Sequence, residues 1–403
     1  MDLKSGYPFW AIKNGLMHAF PPLQAGISVD VVVLGGGITG ALIARELAEH
    51  GHEVAVIDQR DIGWGSTAAS TALLQYEIDT HMTDLARQHG EANAVLAYRA
   101  CAEAIDMAAA LAKDIGDVDF ARMQSLYYAS RRRHRDALED EYALRKRHGF
   151  DVHWLEPAEI ASRYGFDAPA AILSAKAARI DPYRAAYRIL TRLHKRGVAV
   201  HDRTVVSRIQ AGPRSVRLET TRGGVVKAKY LVMATGYAAQ HFIDKNVAKN
   251  RSSYAFITDP IAPELLGPLQ DCMVWESARP YLYLRTTGDG RLLVGGEDDS
   301  IDIPAKRDAL VDKKARKLAK KVSALFPHLP VEPVFSWAGT FAETPDGLPW
   351  FGANPQLGKR VLFAMAYGGN GITYSLLGAG LLRALIEGRP HPLAALFGFQ
   401  RKA

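Results

Sequence analysis

The chain has 403 residues, 48% hydrophobic and 23% charged, which excludes the disordered, collagenous and small disulfide-stapled classes. At about 100–200 residues per domain, two to four domains or two large ones are expected. The 50 basic and 43 acidic residues leave a formal charge of +7, a mild excess that suits an anionic ligand, a weak nucleic-acid contact or plain solvated faces.

Cys101 and Cys272 are far apart, with no paired cysteine or histidine nearby, so neither a disulfide framework nor a metal site is expected and a reducing compartment fits. MDLKSGYPFWAIKNG lacks the apolar core and small cleavage residues of a secretory signal, and no apolar run reaches the roughly 20 residues of a membrane span. A soluble cytoplasmic protein is expected. No repeat of 20–50 residues is visible.

The first unit in chain order is Val29 to Asp58. Val29–Val33 has strand character and runs into Gly35-Gly36-Gly37-Ile38-Thr39-Gly40. Ala41, Leu42, Ala44, Leu47 and Ala48 then recur at helical spacing, Gly51 supplies a stop, and Glu53–Ile57 is a second strand closed by Asp58. In this βαβ setting the G-x-G-x-x-G pattern divides the work: Gly35 for the tight turn, Gly37 for close approach of a pyrophosphate, Gly40 for helix-on-strand packing. The helix N-terminus offers N–H groups to phosphates, with Ile38 and Thr39 in its first turn. Asp58 is placed to accept from a ribose 2′-hydroxyl and to repel a 2′-phosphate. An adenine dinucleotide lacking that phosphate is predicted.

Helical stretches follow at about 80–114 and 131–149, on either side of a strand near 118–130. The run Arg131–Arg135 falls at a helix start, where clustered positive charge opposes the macrodipole. Lys229–Met233 is a buried-looking strand ending in Ala234-Thr235-Gly236. Strands at 253–258, 272–276, 280–285 and 291–296 precede a helix at about 306–325. Its stripe of Val311, Ala315, Leu318, Val322 and Leu325 leaves Lys313, Lys314, Lys317, Lys320 and Lys321 on the other faces, read as solvated. Val361–Ala366 leads through Tyr367-Gly368-Gly369-Asn370-Gly371 into a helix over Ile372–Glu387, so the strand, glycine turn and helix arrangement occurs twice. No second G-x-G-x-x-G is present for a pyridine nucleotide, which favours FAD.

These segments, with Ile62-Gly63-Trp64-Gly65-Ser66-Thr67, Ile180-Asp181-Pro182-Tyr183 and Thr344-Pro345-Asp346-Gly347-Leu348-Pro349, resemble the FAD-dependent amine and amino-acid oxidases, the family of D-amino-acid oxidase, glycine oxidase and sarcosine oxidase. The Gly-Trp-Gly segment is similar to that of bacterial members near gamma-glutamylputrescine oxidase. The resemblance implies an α/β chain with a discontinuous Rossmann-like FAD-binding domain (1–90, 150–240 and 335–403). It also implies a second, α+β substrate domain (91–149 and 241–334) on an antiparallel or mixed sheet. It places Gln59 and Arg60, then Gly65, Ser66 and Thr67, along the cofactor, and brings Ala234–Gly236 and Gly368–Ile372 to it. Members that bond flavin through histidine carry it about where Ala69 stands here, so non-covalent FAD is implied.

The implied reaction is oxidation of a C–N bond of a small-molecule amine by hydride transfer to flavin N5, with oxygen or a quinone or other carrier as electron acceptor. Two alternatives stay open: the same fold acting on an aminomethyl group of modified transfer RNA, and a non-catalytic flavin-binding protein. Nucleic acid is not the expected partner. At the substrate, Tyr281, Tyr283 and Arg285 alternate onto one strand face and are candidates for an aromatic wall and a carboxylate grip, or else an exposed face. Trp337, Phe341 and Glu343 alternate likewise, with Glu343 a candidate for a substrate ammonium or a structural partner. In glycine-oxidase-like members an arginine holding the substrate carboxylate stands about where Phe341 is, so free glycine and simple D-amino acids are expected to be poor substrates.

Overall fold

The computed structural model describes residues 2–401. Five parallel strands form the centre of one sheet, in the spatial order Val361–Met365, Val225–Met233, Ile27–Leu34, Val54–Ile57 and Ala199–His201. They are parallel because their residues are apolar on both faces: Val31–Val33, Val54–Ile57 and Leu231–Met233 are all buried. Trp350–Ala353 closes one edge antiparallel, and a hairpin of Val206–Ala211 and Val216–Thr220 extends from Val225–Met233. The helices Ile38–Glu49, Glu91–Ile115, Pro182–Lys195 and Gly371–Ile386 share one core with Val31 and Val33.

A second, nine-stranded sheet is antiparallel apart from the pairing of Cys272–Glu276 with Ala121–Tyr128. Its order is Phe335–Glu343, Lys249–Pro260, Arg291–Asp299, Leu282–Thr286, Cys272–Glu276, Ala121–Tyr128, Ala171–Arg179 and Leu73–Gln75, with Val152–Leu155 also on Ala171–Arg179. Ala315, Leu318 and Val322 of the helix Val311–Leu325 cover one face.

Several expectations are corrected. The helix expected over 80–114 is two, Met82–His89 and Glu91–Ile115, broken at Gly90 with φ +85°. The helix over 306–325 divides into Pro304–Asp308 and Val311–Leu325. Sheet membership departs from the expected partition: Leu73–Gln75, Ala171–Arg179 and Phe335–Glu343 pair in the second sheet, and Glu91–Ile115 packs in the first core. The lysine face is not simply solvated, because Lys314 pairs with Asp299, Lys317 with Glu297 and Lys321 with Glu297. In the arginine run, Arg135 makes a two-pronged bond to Glu156. Among the described residues no helix is long and apolar enough to cross a membrane. Both cysteines are free and buried.

Candidate functional site

A cavity of about 890 Å³ lies where the C-terminal ends of the parallel strands meet the second sheet. One end is built by backbone. Gly35 (φ +116°) cannot carry a side chain, since a Cβ would stand 2.2 Å from the Ala234 carbonyl oxygen. A Cβ on Gly40 would stand 1.8 Å from the Gly35 carbonyl oxygen, so Gly40 serves packing and does not line the cavity. Gly37 does line it and caps the helix Ile38–Glu49 without a side chain, leaving that helix N-terminus open to an anion. Thr67 Oγ1 accepts from the Ile38 N–H at 3.0 Å, drawing the Ser66–Ala69 turn against the same end.

Asp58 accepts from the N–H of Gly36 at 2.7 Å and of Arg60 at 2.9 Å, fastening the glycine turn to the end of the second strand. Burial raises its carboxyl above the usual range, against the pull of those two N–H groups. Gln59, Arg60, Gly65 and Ser66 continue the wall, and Ala234, Thr235 and Gly236 face them. Thr235 Oγ1 is buried without a hydrogen-bond partner in the chain.

The second glycine turn, Gly368 to Ile372, also reaches the cavity. Asn370 donates to the carbonyls of Gln75 (3.0 Å) and Glu77 (2.9 Å), and the Gly369 N–H reaches Asp79 at 2.8 Å. Because the Asn370 side chain is used outward, the helix Gly371–Ile386 also starts uncapped. Thr39 and Ser375 hydroxyls at 2.8 Å tie the two helix starts together. Two helix ends that receive no side-chain cap from their own N-cap residues, a turn that only glycine allows and an orphaned hydroxyl fit a dinucleotide.

That far end is walled by side chains from the second sheet. Trp275 stacks on Tyr127, with ring centroids 3.7 Å apart. Tyr283 has room because Gly295 stands opposite it, and its hydroxyl lies 3.2 Å from that of Ser253. Burial pushes the Tyr283 phenol up to about 12. The Arg279 guanidinium sits 4.5 Å over the Tyr281 ring. Phe341 and Glu343 line the cavity as expected, but Glu343 bridges two arginines, Arg251 at 3.0 Å and Arg279 at 3.2 Å. It is therefore already paired.

Arg285 is the correction. It shares a strand face with Tyr283, yet it is fully buried and absent from the cavity wall. Its guanidinium donates to the carbonyls of Thr71 (2.8 Å), Thr286 (3.0 Å) and Ile180 (3.2 Å). Burial pushes it down to about 10. It clamps three chain segments and has no access to a substrate. Two other quoted motifs are also structural: Asp181 caps the helix Pro182–Lys195, and Asp346 is held by Arg401 at 2.8 Å and His89 at 2.9 Å.

The sequence reading missed Arg251, Arg279, Ser253, Asp79 and Asp298, all on the wall. Gly295-Gly296 inside a strand was an available signal for a bulge beside Asp298.

Comparison with known proteins places this architecture. Over 396 residues the chain is 26% identical to gamma-glutamylputrescine oxidoreductase of Escherichia coli, covering 94% of this chain and 88% of that one. Over 369 residues it is 27% identical to glycine oxidase of Geobacillus kaustophilus, covering 89% and 93%. The crystal structure of glycine oxidase from Geobacillus kaustophilus superposes with a TM-score of 0.78 at 21% identity, covering 93% of this chain and 99% of that one. The family model DAO, FAD dependent oxidoreductase, matches residues 30–385, and the protein belongs to this family of FAD-dependent oxidoreductases.

Proposed function

We propose that the protein oxidises the C–N bond of an amine or amino-acid-like substrate that carries an acidic group. The observation that carries this reading is the register of two neighbouring strands: Arg251 is paired directly with Phe341, so the two side chains share one face, and both line the cavity. The positive charge that glycine-oxidase-like members carry at the Phe341 position is thus supplied from the adjacent strand. Arg279, joined to Arg251 through Glu343, adds a second guanidinium. With Glu343 between them, the two guanidiniums still offer further N–H donors for a carboxylate.

In this reading Asp58 would hold the ribose hydroxyls of FAD, Gly37, Thr39 and Ser66 would hold the pyrophosphate, and the start of Gly371–Ile386 would receive the flavin end. Bound FAD supplies the hydride acceptor, and the imine product hydrolyses in water. The chain's own part would be to place the amine against Tyr281, Tyr283 and Trp275, exclude water with those rings, and offer positive helix potential to negative charge at the start of Gly371–Ile386. The names of the relatives, an oxidase of glycine and an oxidoreductase of gamma-glutamylputrescine, support an amine substrate. Three of the lysines behind the RNA alternative are engaged in ion pairs, which weakens the motive for it. Steady-state turnover with an artificial acceptor tests the reading, with the carbonyl product trapped by a hydrazine. One carbonyl formed per two-electron acceptor reduced is expected, and acceptor reduction without carbonyl contradicts C–N oxidation.

A further inference from the structure

Asp298 owes its position to a break in the sheet. Between the paired strands Lys249–Pro260 and Arg291–Asp299, Ser252 is opposite Asp299 and Tyr254 opposite Gly296, so Ser253 alone faces both Glu297 and Asp298. Such a bulge re-aims side chains and is common beside active sites. Glu297 adopts φ +55°, a conformation that side chains other than glycine seldom take. Its carboxylate points away from the cavity and is held by Lys317 (2.7 Å) and Lys321 (2.9 Å), while its carbonyl accepts from Lys314 at 2.7 Å. The helix Val311–Leu325 therefore locks the bulge from behind, and Asp298 is delivered to the substrate end of the cavity.

The neighbouring carboxylates are committed. Asp79 accepts from Gly369, Glu343 bridges Arg251 and Arg279, Asp299 accepts from the Tyr254 hydroxyl at 3.0 Å, and Glu77, whose carboxylate oxygens have no hydrogen-bond partner either, faces the buried Arg145 guanidinium at 3.8 Å. Asp298 Oδ1 is buried and has no hydrogen-bond partner in the chain. An unsatisfied buried carboxylate oxygen beside two tyrosines is a costly arrangement unless a cationic ligand completes it.

We propose that Asp298 receives the ammonium of the substrate and takes one of its protons, so that the amine is neutral when oxidised. The N–H bond breaks and an O–H bond forms; the carboxylate and the ammonium both become neutral, and no electrons are transferred in this step. The assignment rests on the amine-oxidising function proposed above. Burial pushes the Asp298 carboxyl up to about 7, with the Ser253 hydroxyl opposing, Asp79 adding, Arg279 opposing and Glu343 adding. A carboxylate so poised is matched to proton exchange near neutrality.

The test is anaerobic flavin reduction of the FAD-loaded enzyme by glycine, sarcosine, D-alanine and gamma-glutamylputrescine, for wild type, Asp298→Asn and Asp298→Glu, across the pH range around neutrality. For the best of these amines, Asp298→Asn is expected to keep its FAD and to raise the apparent Kd by about 10- to 100-fold between about pH 7 and the pKa of the amine itself. This gap closes as pH falls below about 7, where Asp298 itself is protonated. Asp298→Glu should restore part of the affinity and the pH dependence. Equal Kd values for wild type and Asp298→Asn at every pH overturn the proposal. If Asp298→Asn does not fold, the wild type and Asp298→Glu decide it: a shared affinity with no inflection near neutrality overturns it as well. If no amine reduces the wild type, the functional reading has failed and takes this assignment with it; reduction with an unaffected Asp298→Asn overturns the assignment alone.

Discussion

Arg251 and Phe341 stand directly opposite one another on neighbouring antiparallel strands, and both side chains enter the same cavity. The pairing sets the first expectation. Arg251→Ala should raise KM for carboxylated amines by about 10- to 100-fold while changing an uncharged amine little, since a charge-assisted pair is lost only for the former. Equal effects on both kinds of amine remove the anion-binding role. Free glycine and D-alanine should remain poorer substrates than an N-substituted amine with a more distant carboxylate.

Gly37→Val should remove most of the bound FAD. A Cβ there already lies 2.9 Å from Thr67 Oγ1, in the space the glycine leaves open at the helix start. Flavin absorbance per protein after gel filtration measures it, and an unchanged ratio counts against the assigned motif.

Arg285→Ala should act on stability. The variant leaves three carbonyls, two of them in buried hydrogen bonds, without their donor and opens a cavity, a cost of about 3 kcal/mol. Denaturant unfolding should show this loss, while the KM of the folded variant for a carboxylated amine stays near the wild-type value. A large KM change with stability preserved would restore the substrate role first expected of Arg285.

Acid or heat should release intact FAD, because the wall where some relatives attach flavin presents Ala69 and both cysteines lie outside the cavity. Those thiols should also resist alkylation in the native protein and react on unfolding. Burial pushes Cys272 up to about 12 and raises Cys101 as well. Flavin that stays with the precipitated protein contradicts the first statement, and rapid native labelling the second.

What the sequence made legible follows from how each end of the site is built. The glycine end of the cavity is made of backbone within short segments, so the spacing of Gly35, Gly37 and Gly40 and the terminal Asp58 carried its geometry. The opposite end is assembled from strands far apart in sequence. Alternation put Tyr281 and Tyr283 on the face that lines the cavity, but it gave no sign that the cavity closes before Arg285, whose partners Thr71 and Ile180 belong to other segments. Asp298 was hidden for a different reason. Strict alternation fails at a bulge, and its direction depends on Glu297 being drawn to the lysines of a helix that follows in sequence. The lysine run read as solvent-facing is in part the anchor of the cavity wall.

The most direct test of the central claim is an anaerobic titration of the purified yellow protein with a carboxylated, N-substituted amine, followed by its visible absorbance. Oxidation of the amine at this cavity predicts that the flavin bleaches fully at one equivalent of amine per bound FAD and that the colour returns when an electron acceptor is admitted. A flavin that stays oxidised in excess of every such amine, yet is reduced by dithionite, contradicts the account.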